Sequence, residues 1–301
     1  MKKRRTTDDL ITEQINPRTK KIDKNSTIKI IETISKEDKR IAQAVSKERK
    51  NIASGVDLIA NRLGKGGRLI FVGAGTSGRL GVMEAAECPP TFGTHPGLIH
   101  GVIAGGKKAL WRSVEGAEDS KTEAENELRK LKLSKNDIIV GIAASVNTPF
   151  VEGGLAYGKK KGCGRVLITC NRVSNSPPAD VCICPIVGPE VIVGSTRMKA
   201  GTATKMVLNM LTTASMIKLG KTYGNLMVDV QPRSDKLRDR AARIVMHVLE
   251  INRNEAHRLL KRSKWSVKLA IVMGTKTIGY KMAKEILSKH KGLLREALNS
   301  E

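Results

Sequence analysis

Three short loops rich in glycine and hydroxyl residues are the parts of the sequence best suited to bind an anion. The first, Gly73–Arg79, reads GAGTSGR and follows the apolar run LIFVG. It is predicted to open a helix, where free backbone N–H groups and the helix dipole favour an anion. Gly75, Thr76 and Ser77 are therefore predicted to bind a phosphate, the alternative being a tight strand-to-helix turn with incidental hydroxyls.

The same loop formally matches GxGxxG, a pattern that also suits a nicotinamide dinucleotide. A dinucleotide fold needs an Asp or Glu at the end of the next strand to bind the ribose hydroxyls. The run LIHGVIAGG ends instead in Ala104, Gly105 and Gly106. The missing carboxylate favours a single phosphate over a dinucleotide.

Two later loops repeat this chemistry. GIAAS (141–145) leads through VNTP into a helix predicted to start near Pro149, and GSTR (194–197) stands between a glutamate and a lysine. Basic residues such as Arg197 could add charged donors, although lone basic residues are usually solvated. The ligand-binding residues predicted in these two loops are Ser145, Asn147, Thr148, Glu190, Ser195, Thr196 and Lys199.

The loops follow apolar runs that alternate with helical or loop segments. The runs predicted as strands are LIFVG (69–73), LIHGVIA (98–104), DIIVGIA (137–143), RVLITC (165–170) and VCICPIV (181–187). This alternation predicts an α/β fold whose parallel sheet is covered by helices on both faces. Ligands of such sheets bind beyond the carboxyl ends of the strands, which is where the three loops lie.

The rest of the chain is predicted to be mainly helical. A Pro-broken arm precedes the first helices, and after Arg197 Met and Leu recur at three- and four-residue spacings. We predict an N-terminal arm with helices at 1–54, an α/β ligand-binding domain at 55–245 and a C-terminal helical appendage at 246–301.

The composition is that of a globular protein. Of 301 residues, 40% are hydrophobic and 28% are charged, which excludes a disordered or collagen-like chain. No apolar stretch approaches the roughly 20 residues of a membrane-spanning helix, and MKKRRTTDDL lacks the apolar segment of a signal peptide, so we predict a cytoplasmic protein. The five cysteines lack zinc-like CxxC pairs, and neither a disulfide framework nor a metal site is predicted.

The chain is strongly basic. Lys and Arg exceed Asp and Glu by 54 to 29, a net charge of +25 that could attract nucleic acid, an anionic membrane or small phosphates. The basic residues are scattered through helical segments without interleaved aromatic residues, which favours a solvated surface over nucleic-acid recognition. We predict neither nucleic acid nor a membrane as a partner.

Several longer runs are specific enough to indicate a family. They are GAGTSGRLGVMEAAECPPTFG (73–93), EGAED (115–119), GPEVIVGSTRMKAGTATKMVLNML (188–211) and GKTYGNLMVDVQP (220–232), with TEQINPRT and IETISKEDK before them. The chain, up to about residue 245, resembles the N-acetylmuramic acid 6-phosphate etherases, which are sugar-isomerase (SIS) domain proteins. The resemblance implies a three-layer SIS-type α/β fold and a homodimer with its sites near the subunit boundary. It also implies cofactor-free removal of D-lactate from a phosphorylated amino sugar, N-acetylmuramic acid 6-phosphate, in cell-wall recycling.

The resemblance further implies two catalytic glutamates. Glu118, in EGAED, matches the base that removes the hydrogen at C2, and Glu87, in ECPP, matches the acid that protonates the departing lactate. Two carboxyl groups with distinct roles are the minimum for this elimination, because an alkoxide needs a proton to leave. We expect Glu87 to be partly desolvated and Glu118 to be ionised. The nearby Glu84, Glu115 and Asp119 keep open the reading that these are ordinary surface carboxylates.

The second loop departs from the family pattern. Family members commonly read AASGRTPYV where this chain has Val146 and Asn147 in place of Gly and Arg. Val resists positive φ and Asn offers no charged fork, so we expect a reshaped loop or a slightly different substrate. Two other functions stay open: a non-catalytic sugar-phosphate sensor resembling glucokinase regulatory protein, and a SIS-containing transcription factor. The paired glutamates favour the enzyme, and the altered loop is the best support for the sensor.

Overall fold

The computed structural model describes residues 10–173, 179–232 and 234–300. Five strands form one parallel sheet in the order β2-β1-β3-β4-β5. They are β1 (Leu69–Gly73), β2 (Ile99–Ile103), β3 (Ile138–Ile142), β4 (Gly164–Ile168) and β5 (Val181–Ile183). The predicted strands and the α/β fold are confirmed. Strand β5 is shorter than predicted because Pro185, two residues after its end, has no N–H group for a strand ladder.

The α-helices of the described residues fall into three groups. Before the sheet lie α1 (Thr27–Asp38), α2 (Ile41–Lys47) and α3 (Arg49–Gly64). Between and directly after the strands lie α4 (Gly75–Phe92), α5 (Lys121–Lys130), α6 (Pro149–Lys160) and α7 (Lys199–Lys218). The remainder are α8 (Asp235–Leu249), α9 (Arg253–Arg262), α10 (Val267–Lys276), α11 (Tyr280–Lys289) and α12 (Leu294–Asn299). None of these described helices is both long and apolar enough to span a membrane.

Helices cover both faces of the sheet, which gives the predicted three layers. Phe71 and Val72 are adjacent buried residues of β1, and successive side chains of a strand point to opposite faces. A Cβ on Gly81 of α4 would lie 2.8 Å from the Phe71 Cβ, and one on Gly154 of α6 would lie 3.0 Å from Val72 Cγ1. Glycine thus lets α4 and α6 approach the sheet closely from opposite sides, which fixes the loops that lead into them.

The N-terminal arm packs against the α/β layers. Thr12 and Thr19 are buried. Asn171 Nδ2 donates to Thr12 Oγ1 at 3.0 Å, and Thr19 Oγ1 donates to the carbonyl oxygen of Val191 at 2.8 Å. The described part of the arm is therefore tied to the loops that follow β4 and β5.

The chain divides into two compact units. The first comprises the chain up to Ala86 together with Gly97–Thr212. The second comprises Glu87–Pro96 and the chain from Thr213 onward. The sheet and the described part of the arm both belong to the first unit.

The second unit has its own apolar core. Val245 of α8, Ile271 of α10 and Ala283 of α11 are buried in one cluster. The predicted start of the helical appendage at residue 246 falls inside α8, whose apolar face is already part of this cluster. After Glu87–Pro96, the chain belongs to this second unit again from Thr213 onward.

Candidate active site

The first predicted loop forms the turn between β1 and α4. Gly75 begins α4 with a φ of +53°, a left-handed conformation that glycine adopts without steric cost. A Cβ on Gly73 would lie 2.7 Å from the backbone nitrogen of Gly78, so the turn also has no room for a side chain there. The first N–H groups of this 18-residue helix have no partner within the helix, and Thr76 and Ser77 are half-buried beside them. The loop has the geometry of an anion cradle.

A cavity of about 140 Å³ lies next to this loop. It is lined by residues of the first loop, of the segment after β2 and of the turn before α5: Ala74, Gly75, Arg79, Ala104, Ala109, Ser113, Val114, Glu115, Gly116, Ala117 and Glu118. Of the predicted site residues, the structure brings Gly75 and Glu118 to this one cavity. Sites that enclose a whole small molecule usually exceed about 300 Å³, so this cavity would hold part of a sugar phosphate.

Glu118 stands on a short turn whose shape is set by local contacts. Gly116 has a φ of +73°, and Ala117–Asp119 form a 3₁₀ helix. Ser113 Oγ donates to Glu115 Oε1 at 2.7 Å, whereas the exposed Glu118 carboxylate accepts no hydrogen bond from a described residue. A carboxylate without a partner in a cavity wall is available to take a proton. This difference separates Glu118 from the neighbouring Glu115, which composition alone could not do.

Two glutamates on α4 have different surroundings. Glu84 is buried, and its carboxylate accepts hydrogen bonds from Lys205 Nζ and Thr212 Oγ1, each at 2.5 Å. Glu87 follows one turn later, belongs to the second unit and is exposed. Glu84 is therefore occupied by structural contacts, and Glu87 is accessible. Contrary to expectation, Glu87 is not desolvated by its own chain.

The second loop keeps a left-handed backbone at the position where the family commonly has glycine. Val146 has a φ of +61°, and the Asn147 N–H donates to the Ser145 carbonyl oxygen at 2.5 Å across it, which closes a tight three-residue turn. A β-branched residue in this region costs about 1–3 kcal/mol. Ser145 and Thr148 are half-buried, Asn147 is exposed, and Thr148 directly precedes Pro149, the first residue of α6. Val146 thus adopts the left-handed backbone that a β-branched residue resists, and position 147 carries a neutral side chain where the family commonly has arginine.

The third loop differs from its prediction at both ends. Glu190 is fully buried, and its carboxylate accepts the backbone N–H groups of Lys199 at 3.0 Å and Ala200 at 2.9 Å, so it caps the start of α7. Burial raises the pKa of Glu190. Lys199 is also fully buried, and its Nζ donates to Glu37 Oε2 at 2.7 Å and to the Val187 carbonyl oxygen at 3.0 Å. Glu190 and Lys199, both predicted to bind a ligand, are thus enclosed by the fold and engaged in contacts that hold the loop in shape.

The middle of the third loop lies beside the first loop. Ser195 and Thr196 are half-buried, and Arg197 is exposed. A Cβ on Gly201 would lie 3.4 Å from the Thr196 carbonyl oxygen and 3.5 Å from Thr76 Cγ2. Thr76 of the first loop and Thr196 of the third loop therefore both lie next to Gly201 at the start of α7.

A buried ion cluster holds the arm against the third loop. Glu37 accepts hydrogen bonds from Arg18 Nη2 at 2.9 Å, Lys199 Nζ at 2.7 Å and Asn16 Nδ2 at 3.0 Å. Asn16 also donates to the carbonyl oxygen of Pro189 at 3.2 Å. The Arg18 hydrogen bond, helped by those of Lys199 and Asn16, lowers the pKa of Glu37 to about 2 in spite of its burial. Residue types alone do not reveal this cluster, although the runs TEQINPRT and IETISKEDK contain three of its members.

Neither metal ligands nor reactive thiols stand out in the described part of the chain. Within residues 10–173, 179–232 and 234–300, no group of three or more His, Cys, Asp or Glu side chains is arranged to hold a metal ion. Burial raises the pKa of the Cys170 and Cys184 thiols to about 12, which keeps both protonated near neutral pH.

Known relatives match the chain over nearly its whole length. An N-acetylmuramic acid 6-phosphate etherase of Clostridium botulinum (strain Loch Maree / Type A3) is 51% identical over 97% of this chain and 97% of its own. Another, of Salmonella agona (strain SL483), is 48% identical over 96% of this chain and 98% of its own. The chain belongs to the N-acetylmuramic acid 6-phosphate etherase family.

Membership of the etherase family confirms the resemblance drawn from the motifs and extends it into the helical tail. The pattern of the glucokinase regulatory protein N-terminal SIS domain family matches residues 51–159, so a SIS domain is present. Among solved structures, phosphoheptose isomerase from Neisseria gonorrhoeae is similar at 15% identity and a TM-score of 0.45, over 62% of this chain and 99% of its own. Identity over the full length favours the etherase family over the sensor and the transcription factor.

Proposed function

We propose that this chain is a lyase that cleaves the D-lactyl ether of N-acetylmuramic acid 6-phosphate, giving N-acetylglucosamine 6-phosphate and D-lactate. The observation that carries the proposal is that Gly75 and Glu118 line the same cavity. A helix start suited to an anion therefore lies beside a carboxylate that accepts no hydrogen bond from a described residue. Relatives with this name, at 51% and 48% identity, suggest the substrate. The reaction serves cell-wall amino-sugar recycling and needs no cofactor.

The sugar is bound through its phosphate. The free N–H groups at the start of α4 and the hydroxyls of Thr76 and Ser77 surround the anion, and Ser195 and Thr196 approach from the third loop. Glycine at position 75 allows the backbone to come close to the phosphate. The second loop adds Ser145, Asn147 and Thr148. Because Asn147 is neutral, the phosphate is held by hydrogen bonds there and not by a guanidinium.

Elimination begins at Glu118. In the open-chain sugar the hydrogen at C2 is acidic because it lies next to an aldehyde. The Glu118 carboxylate takes this hydrogen as a proton, the C–H electron pair forms the C2–C3 double bond, and the C3–O bond breaks. The departing lactate oxygen receives its proton from Glu87. Water then adds its oxygen to C3 while a proton returns to C2, which restores the saturated amino sugar.

Glu87 needs surroundings that one chain does not provide. Desolvation is one way to keep a carboxylic acid protonated near neutral pH, and Glu87 is exposed in the single chain. The bound sugar and a second copy of the chain would cover it. We therefore propose that the enzyme works in the cytoplasm as a homodimer whose sites lie near the subunit boundary.

The test is to incubate the purified protein with N-acetylmuramic acid 6-phosphate and to measure D-lactate. We expect lactate from the phosphorylated sugar and none from N-acetylmuramic acid, because the cradle binds the phosphate. Asp119→Asn is a matched control for Glu118→Gln, since Asp119 is an exposed neighbour outside the cavity lining. Tight binding of the sugar phosphate without release of lactate would contradict the proposal and support a sensor.

A further inference from the structure

One cation lies in the cavity wall without a carboxylate partner. Arg79, the last residue of the first loop, lies on the second turn of α4 and is half-buried. Its Nε donates to the carbonyl oxygen of Leu110 and its Nη2 to that of Arg112, both at 3.3 Å. In the described part of the chain, no carboxylate lies within ion-pair distance of this guanidinium. The Arg79 guanidinium thus donates its hydrogen bonds to backbone oxygens, an arrangement suited to fixing the segment that carries them.

The two carbonyl groups belong to the segment that leads to Glu118. A 3₁₀ helix, Gly106–Leu110, ends at the first of them, and Ser113–Glu118 line the cavity directly after the second. The segment lies between two left-handed glycines, Gly105 with a φ of +79° and Gly116 with a φ of +73°. Arg79 ties this segment to α4 and, through α4, to the glycine loop.

We propose that Arg79 is a positioning residue for Glu118: its guanidinium fixes the backbone at 110–112, so that the Glu118 carboxylate stands at a set distance from the phosphate cradle. The inference rests on the proposed function. A base must be held to a fraction of an ångström, and a displacement of 1 Å costs about 100-fold in rate. A guanidinium fork can donate to two carbonyl oxygens at fixed separation, whereas the ammonium of Lys is a point charge on a flexible stem.

Kinetics distinguish positioning from ligand binding. Loss of a phosphate contact would raise KM, because the substrate itself is held less tightly. A base that is held in the wrong place would lower kcat and the rate of C2 hydrogen exchange together, with little change in KM. Arg79→Lys keeps the positive charge and loses the two-carbonyl fork, so it isolates the second effect.

The experiment compares Arg79→Lys with wild type by lactate release and by exchange of the C2 hydrogen in deuterated water. We expect kcat and the exchange rate to fall together by about 100-fold, with KM changed by less than about threefold. In Arg79→Ala, methylguanidinium should restore part of the exchange and methylammonium should not. Arg129→Lys is the control, because Arg129 is an exposed residue of α5 paired with Glu125 and should keep wild-type kinetics.

Each outcome is decisive. An Arg79→Lys enzyme with wild-type kcat, or one with raised KM and unchanged kcat, would overturn the positioning role. If Arg79→Lys and Arg79→Ala both fail to fold while Arg129→Lys folds, Arg79 is a structural residue and the proposal is wrong. Wild-type protein that releases no lactate would end the proposed function, whereas active wild type with unaffected Arg79 variants would end this inference alone.

Discussion

Replacing Glu37 by glutamine should destabilise the protein in a pH-dependent way. Glu37 is 2% exposed, and its pKa is lowered from 4.5 to about 2, first of all by the Arg18 hydrogen bond. Since each pH unit between the unfolded and folded pKa corresponds to about 1.4 kcal/mol, the ionised carboxylate contributes about 3 kcal/mol at pH 7. The folded pKa lies below the unfolded one, so this contribution is complete above about pH 5 and is lost as the pH falls towards 2.

Urea unfolding followed by circular dichroism at pH 7 and pH 3 measures this effect. Glu32→Gln is the control, because Glu32 lies on the same helix, is 48% exposed and pairs with the exposed Lys29, a contact worth at most about 1 kcal/mol. We expect Glu37→Gln to lose about 3 kcal/mol at pH 7, and the advantage of wild type to shrink by about 2 kcal/mol at pH 3. Equal losses from the two variants, or a Glu37→Gln loss that is the same at both pH values, would refute the reasoning.

Three further predictions, one of them with a control substitution, test other parts of the structure. Asp137→Asn should lower the free energy of unfolding by about 3–5 kcal/mol in urea, because buried Asp137 accepts a hydrogen bond from Arg68 at 2.8 Å; a loss below about 1 kcal/mol would contradict this. Val146→Gly should raise the free energy of unfolding by about 1 kcal/mol in thermal melting, because removal of the strained left-handed valine outweighs the added entropy of the unfolded chain. A lower melting temperature would contradict strain at this position. Gly81→Val should lower the free energy of unfolding by about 1–3 kcal/mol, because α4 lies too close to the sheet there for a side chain. Gly201→Ala is the control and should be tolerated, because its Cβ would have ordinary contacts. Equal effects of the two substitutions would mean that the close approach of α4 is not needed.

The sheet could be predicted from the sequence because buried parallel strands are continuous apolar runs. LIFVG and the later runs need no knowledge of their neighbours to be recognised, and glycine at position 73 indicates where the first strand must turn. The same reasoning placed the first loop beyond the carboxyl end of its strand, whereas Glu118 was predicted only from the family resemblance.

Burial was the property that residue types did not reveal. Glu190 and Lys199 have the chemistry of ligand contacts, but the fold encloses both, and only the structure identifies Glu37 as the partner of Lys199. Which helices share a core is likewise not visible in the sequence. The sequence of α8 is that of an ordinary amphipathic helix, yet α8 shares one apolar cluster with α10 and α11.

The most direct test of the central claim is the exchange of the C2 hydrogen of N-acetylmuramic acid 6-phosphate with deuterated water, followed by NMR in wild type, Glu118→Gln and Glu87→Gln. If Glu118 removes this hydrogen and Glu87 protonates the leaving lactate, Glu118→Gln loses exchange, whereas Glu87→Gln retains exchange and releases no lactate. Exchange at the wild-type rate in Glu118→Gln would contradict the account.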